Sequence, residues 1–264
     1  MPYRVDIRRA GDPVLDRLVE LGALDVERLP GGGIAALMPD GVAPEEMALA
    51  LGVDDVSISP AIGRDAGSVW ILSPRPTRVG RLRIVPAHAG TEPGALRLTD
   101  SAAFGTGLHP TTVMCLEAIE QALQPFPPSA LLDVGTGSGV LALAALLMGV
   151  PRALGLDIDA EALRAAAENA RLNALDGRLQ LACGGPDAVA GSWPLVVANL
   201  LAAPLVELAP VLVRRVGHHG CLVLSGIAAS VEPDVDRAYR RLGMQRVTAQ
   251  SRAGWSAVVL QASW

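Results

Sequence analysis

Residues 130–150 read ALLDVGTGSGVLALAALLMGV, a strand, a glycine turn and a helix in direct succession. Ala130–Val134 is an apolar run that fits a buried strand, and Val140–Met148 has the length and apolarity of a helix. Between them Gly135, Gly137 and Gly139 alternate. Glycines at this place let the backbone approach a ligand and leave the helix N-terminus open to it. The next apolar stretch, Ala153–Asp157, ends on an acid about 20 residues further on, where a carboxylate accepts both hydroxyls of a ribose. Loop, strand and acid together point to a cofactor that contains adenosine.

The spacing of the glycines selects among such cofactors. A dinucleotide fingerprint, GxGxxG, wants its third Gly or Ala where this chain has Val140. The pattern here is GxGxG. It suits S-adenosylmethionine, which has no pyrophosphate to cradle, and leaves a nicotinamide-dependent oxidoreductase as the alternative. Asp159 stands where a helix N-cap belongs, directly before Ala160–Asn173, and is read as structural.

From Ser129 onward strands and helices alternate. Further strands are expected at Arg178–Ala182, Pro194–Asn199, Cys221–Gly226, Met244–Ala249 and Trp255–Gln261, with helices at Pro204–Val216 and Val231–Leu242. The alternation predicts a mostly parallel sheet covered on both faces. The short link Gln250–Gly254 predicts an antiparallel pair at one edge.

The first 60 residues have a different rhythm. Tyr3–Arg9, Ala23–Leu29, Ile34–Met38 and Val56–Ser59 read as strands, and Pro13–Leu21 and Pro44–Leu51 as helices. The order βαββαβ predicts a small α+β sandwich of ferredoxin type. Residues 61–97 are rich in Pro, Gly and Arg and read as a structured connector with strands at Ser68–Leu72 and Arg81–Val85. Charge follows the same division. Residues 1–60 hold 5 Arg against 11 acids, residues 61–100 hold 6 against 3, and the remainder 11 against 13.

Composition removes several classes. A net charge of −5 with 3% aromatic residues argues against a general nucleic-acid binder. All 22 basic residues are arginine, a compositional bias without functional content. The longest clean apolar run, Val140–Val150, falls short of the roughly 20 residues a bilayer helix needs, and the sequence MPYRVDIRRAGD lacks the apolar core of a signal peptide. Cys115, Cys183 and Cys221 are odd in number and far apart, which fits reduced thiols in the cytoplasm rather than disulfides or a metal site.

Two segments sharpen the chemistry. In AFGTGLHPTT (103–112) Pro110 is a favoured first helical residue, so Thr111 and Thr112 fall in a first turn with free backbone N–H groups, a place for a carboxylate. His109 there reads as structural or supporting. In VVANLLAAP (196–204) Asn199 ends a strand expected beside the glycine-loop strand, so its side chain points into the ligand crevice. Its carbonyl oxygen suits an amine that must be aimed at a methyl group.

FGTGLHPTT, LDVGTGSGVLALAA, LGLDIDAEAL, AENARLN and VVANLLAAPL together closely resemble the bacterial ribosomal protein L11 methyltransferase family. The resemblance is strong over residues 98–264, extends through VWILSPRPTRVGRLRIVP (69–86), and is weak over residues 1–60. It implies a class I S-adenosylmethionine-dependent methyltransferase domain, Rossmann-like with a seven-stranded sheet, over residues 98–264. A substrate-recognition domain over residues 1–60 and the connector 61–97 would precede it. The implied reaction is methylation of lysine ε-amines and the α-amine of one large-subunit ribosomal protein. The family's donor contacts map onto Thr112, Gly135, Asp157 and Asn199; with Phe104, Gly137 and Gly139 they form the expected donor-binding set. Asn199 is the expected catalytic residue, and no metal, membrane or nucleic-acid partner is implied. Where the family usually has Asp-Pro-Gly, this chain reads Asp100-Ser101-Ala102.

Overall fold

The computed structural model describes residues 3–23, 25–29, 32–38, 42–60, 76–88, 92–99, 109–124, 126–252 and 254–264. In β1 (Tyr3–Ile7) the alternate residues Tyr3, Val5 and Ile7 are buried, the pattern of a strand with one covered face. Helix α1 (Asp12–Glu20), β2 (Asp25–Leu29), β3 (Gly33–Met38), α2 (Pro44–Leu51) and β4 (Val56–Pro60) complete this N-terminal unit. Its sheet runs β2-β3-β1-β4, with β1 antiparallel to both β3 and β4. Leu18 from α1 and Met47 from α2 join Val5, Ile7, Ile34 and Met38 in one apolar cluster.

The connector contributes three short strands: β5 (Thr77–Val79), β6 (Leu82–Pro86) and β7 (Ala95–Leu98). Strands β5 and β6 form a hairpin, and β7 runs parallel to β6. Sequence reading finds only β6 of these. Strands of three or four residues are too short to show a period. The expected strand Ser68–Leu72 lies outside the described residues, as do the loop with Phe104 and the Asp100–Ala102 departure. Val79, Leu82, Ile84, Leu96 and Leu98 are buried in the same cluster as Leu116, Ile119 and Leu143 of the unit that follows. Strands β5, β6 and β7 are thus packed into the larger unit rather than strung between two.

That unit begins with α3 (Pro110–Ala122), followed by β8 (Leu131–Val134), α4 (Val140–Leu147), β9 (Ala153–Asp157), α5 (Ala160–Leu172), β10 (Leu179–Cys183) and β11 (Trp193–Asn199). Then come α6 (Ala202–Arg215), β12 (Val216–Ala228), α7 (Glu232–Arg240), β13 (Met244–Arg252) and β14 (Trp255–Ala262). The sheet order is β10-β9-β8-β11-β12-β14-β13. The first five strands are parallel, and β14 and β13 are antiparallel additions at one edge. Helices α3 and α4 cover one face with Leu116, Leu141 and Leu146, while Leu205, Leu212 and Tyr239 from α6 and α7 cover the other. The Tyr239 hydroxyl donates to Leu205 O at 2.7 Å and locks the two helices together.

Strand β12 is longer than its expected core, Cys221–Gly226, and its pairing with β14 shifts register between Leu224 and Ile227. This bulge falls at Gly226, next to the crevice where the chain crosses from β10 to β11.

Candidate functional site

The carboxyl ends of β8, β9 and β11 open on one cavity of about 600 Å³. It lies where the strand order reverses, the usual ligand crevice of such sheets. Gly135 and Gly137 from the turn after β8, Asp157 from the end of β9 and Asn199 from the end of β11 all line it. Residues 20 to 64 positions apart in the sequence are therefore brought together from three strand ends by parallel pairing of adjacent strands.

The glycine turn follows from a close approach. Gly135 sits at φ +74°, and a Cβ there would stand 2.5 Å from Leu200 Cδ2. Opposite it, Gly226 at φ +83° leaves no room for a Cβ against the backbone of Leu200. Leu200 is thus seated between two glycines, with its N–H donating to Ser225 O at 3.0 Å. This seat places Asn199, half-buried on the cavity wall. Among the described residues, none hydrogen-bonds the Asn199 side-chain amide.

Asp157 has two duties. Its Oδ2 accepts the Gly137 N–H at 2.9 Å, and its Oδ1 accepts the Asp159 N–H at 3.0 Å. A carboxylate oxygen has a second lone pair, so both remain able to accept from a ligand. Asp159 caps α5 by accepting the Glu161 N–H at 2.8 Å, as its position in the sequence implies.

His109 caps α3. Its Nδ1 accepts the Thr111 N–H at 3.3 Å and pairs with Thr111 Oγ1 at 2.8 Å. Burial pushes its pKa down to about 4, against the opposing effect of the Ala23 backbone. The ring is thus neutral at physiological pH and its nitrogens are engaged, which suits a supporting role. Trp255 meets it edge-on at 5.3 Å and donates from Nε1 to Gly22 O at 3.3 Å. Two residues of the cavity wall are therefore in contact with the turn Gly22–Ala23 of the N-terminal unit.

The expected donor set divides on inspection. Gly135, Gly137, Asp157 and Asn199 line the cavity. Phe104 lies outside the described residues. Gly139 is the N-cap of α4, pressed against α5 and absent from the lining, while Thr111 lines the cavity in place of its neighbour Thr112. Thr112 is fully buried, and its Oγ1 has no hydrogen-bond partner among the described residues. Sequence reading passes over Ile158, Leu201, Gly226 and Trp255, which also line the cavity. Ile158 and Leu201 are 83% and 64% exposed, large apolar side chains left uncovered at a ligand site. Their position next to Asp157 and Asn199 was a signal; for Trp255 there was none, since its pairing with Ala228, 27 residues earlier, brings it in.

S-adenosylmethionine fits these residues. The cavity is of ligand size, apolar walls at Val134, Ile158 and Pro204 suit an adenine, and Asp157 suits a ribose. The Thr112 hydroxyl, without a partner among the described residues, stands one residue from the cavity wall at Thr111 in the first turn of α3, a place that suits the polar end of an amino acid.

Asp133 stands behind the glycine turn. It is fully buried, with Oδ2 accepting from Thr136 Oγ1 at 2.8 Å and Oδ1 without a partner among the described residues. Burial pushes its pKa up to about 7, opposed by the Thr136 hydroxyl and the Ala142 amide. Between the ordinary carboxylate range and about pH 7 the native state keeps a proton that the unfolded chain releases, so stability falls as pH rises through that window. Asp133→Asn removes this titration. Its melting temperature is expected to decline less than the wild type's between about pH 5 and about pH 8. Parallel declines in differential scanning calorimetry would contradict the assignment.

Residues 50–263 match the family model described as ribosomal protein L11 methyltransferase (PrmA). A relative named ribosomal protein L11 methyltransferase from Pelobacter propionicus is 39% identical over 210 residues, covering 76% of this chain and 68% of that protein. One of the same name from Azotobacter vinelandii is 45% identical over 193 residues, covering 70% and 64%. The crystal structure of a ribosomal protein L11 methylase from Lactobacillus delbrueckii subsp. bulgaricus superposes with a TM-score of 0.65 at 32% identity, covering 71% of this chain and 98% of that one. The curated matches thus span about two thirds of the relatives' length. With a cavity at the crossover of its parallel sheet and these likenesses over most of its length, the chain belongs to the ribosomal protein L11 methyltransferase (PrmA) family of S-adenosylmethionine-dependent methyltransferases.

Proposed function

We propose that the protein transfers methyl groups from S-adenosylmethionine to lysine ε-amines and the α-amine of ribosomal protein L11. The observation that carries this reading is Asn199, whose uncommitted amide shares one cavity with Gly135, Gly137 and Asp157. When bound, the donor supplies a sulfonium methyl group open to in-line displacement.

The chain's own task is to present a neutral amine. A lysine of pKa ~10.4 costs roughly 4.6 kcal/mol to deprotonate at pH 7, and an α-amine of pKa ~8 about 1. The apolar walls around Asn199 favour the uncharged form by desolvation, and a neighbouring sulfonium adds like-charge repulsion. No dedicated base is required. The Asn199 carbonyl accepts one amine N–H and turns the lone pair toward the methyl group, which is alignment rather than proton transfer. Incubation with isotopically labelled donor and purified ribosomal protein L11, followed by mass spectrometry, tests the assignment. Label on its lysine or terminal amines is expected; unlabelled L11 from an enzyme that binds the donor would refute it.

The division into a recognition domain (1–60), a connector and a catalytic unit is part of the same reading. We read residues 1–60 as ferredoxin-like, supported by the βαββαβ order and the sheet order β2-β3-β1-β4. The catalytic unit is read as the Rossmann-like, seven-stranded form of the class I fold, supported by its parallel core. A cytoplasmic location is part of the same reading, supported by the ribosomal substrate proposed here. Separately, no helix among the described residues is long and apolar enough to cross a membrane.

The acidic N-terminal unit is read as the surface that meets L11. Proteins that bind RNA are usually basic, and complementary charge speeds encounter and helps set orientation. Glu45, Glu46, Asp54 and Asp55 are exposed on it. Reversing all four to lysine is expected to slow methylation of L11 about 10-fold at low salt, with the difference shrinking toward 1 M salt and donor affinity unchanged. Equal rates for the two proteins at low salt would end the docking role.

A further inference from the structure

Three consecutive residues of the glycine loop are each held by the segment from Asp157 to Asn169. The Gly137 N–H donates to Asp157 Oδ2 at 2.9 Å. The Ser138 carbonyl accepts from Asn169 Nδ2 at 2.9 Å. Gly139 lies against Ala166, where an added Cβ would stand 3.1 Å from the Ala166 Cβ. Asn169, fully buried on α5, uses its other end as well. Its Oδ1 accepts the Thr99 N–H at 2.8 Å and the Thr99 hydroxyl at 3.0 Å. Thr99 is the residue after β7. One side-chain amide thus joins the glycine loop to the end of the three-stranded sheet.

One turn along the same helix, Asn173 makes a similar but separate clamp. Its Oδ1 accepts the Arg97 N–H at 2.8 Å, and its Nδ2 donates to Arg97 O and Asn169 O, each at 2.7 Å. It docks β7 on α5 and, among the described residues, makes no hydrogen bond to residues 135–139, so it separates docking of the strand from restraint of the loop.

We propose that Asn169 is a positioning residue of the donor site, holding the glycine loop in its binding conformation by tying Ser138 to Thr99. Gly135, Gly137 and Gly139 all have φ between +55° and +81°, and glycine has the widest backbone freedom of any residue, so the loop needs outside restraint. A loop ordered before the ligand arrives is spared the cost of ordering on binding. Asn169 provides that order with both ends of its amide, and the buried carbonyl of Ser138 and the half-buried Thr99 make the loss of either end costly. The proposal rests on the donor reading above.

Asn169→Leu and Asn173→Leu test it as a pair, since each removes one amide from the same helix at similar volume. Dissociation constants for S-adenosylhomocysteine are measured by calorimetry and melting temperatures by scanning calorimetry. Both variants are expected to melt lower than the wild type. Asn169→Leu weakens S-adenosylhomocysteine at least about 10-fold, while Asn173→Leu stays within about threefold. Equal weakening by the two, or none by Asn169→Leu, overturns the proposal. Binding by the wild type reports on the donor reading by itself. Should Asn169→Leu not fold, amide hydrogen exchange of the wild type decides. Saturating S-adenosylhomocysteine is expected to protect the Thr99 amide together with those of Gly137 and Gly139. Protection confined to the glycine loop overturns the proposal.

Discussion

Asp157→Ala is expected to weaken S-adenosylmethionine at least about 100-fold, measured by calorimetry. Each charge-assisted hydrogen bond to a ribose hydroxyl contributes at most roughly 1.5–3 kcal/mol, and alanine removes two of them. The structure adds a second loss. The same carboxylate receives the Gly137 and Asp159 N–H groups, so its removal frees the turn that approaches the donor as well as the ribose. Asp157→Asn separates the contributions, because it keeps one acceptor oxygen and the shape of the side chain but loses the charge. It is expected to fall between alanine and the wild type. A folded Asp157→Ala protein with unchanged affinity would refute the donor assignment.

Asn199→Ala is expected to lower turnover about 100-fold at saturating donor, with donor affinity within a few fold. In the role proposed for it the carbonyl aims the amine, so the loss should fall mainly on kcat. Asn173 cannot serve as a control, because its side chain spans both backbone groups of Arg97. Gln180, exposed on β10, is the better comparison. The wild-type rate on lysine substrates is expected to rise with pH through the neutral range, since only the neutral amine attacks. Asn199→Ala should follow a parallel profile at a lower level. Equal turnover by Asn199→Ala and Gln180→Ala would end the role given to Asn199.

The catalytic sheet was legible because its determinants are local. Apolar runs such as Leu131–Val134 and Ala153–Asp157 each carry their own strand signal, and a glycine turn or an N-cap such as Asp159 marks where each helix begins. Gly135, Gly137, Asp157 and Asn199 were legible for the same reason: each sits at the end of a strand whose place in the sheet follows from the alternation. What stayed hidden depends on distant partners. Strands β5 and β7 have three and four residues and are stabilised by packing against α3 and α5, not by a pattern of their own. Trp255 reaches the cavity only because β14 pairs with β12. Asn169 and Asn173 look like ordinary polar positions of an amphipathic helix until β7 is laid against them. Thr111 and Thr112 show the limit of resolution, since a sequence places both in one helical turn but not which of them faces the cavity.

The seat of Leu200 between Gly135 and Gly226 has a consequence for how this chain can diverge. At Gly135 an added methyl group would collide with the far end of a flexible side chain, Leu200 Cδ2. At Gly226 it would collide with the main chain of the same residue. In a saturation library the two sites should therefore behave differently toward position 200. A shorter residue there can relieve the crowding of alanine at 135 and leave only the cost of its left-handed backbone. No choice of residue at 200 removes the obstruction at 226, because every amino acid brings the same carbonyl. Compensatory pairs are thus open to the first glycine and closed to the second, and drift in the loop that follows Asn199 is confined to what a bare backbone at 226 permits.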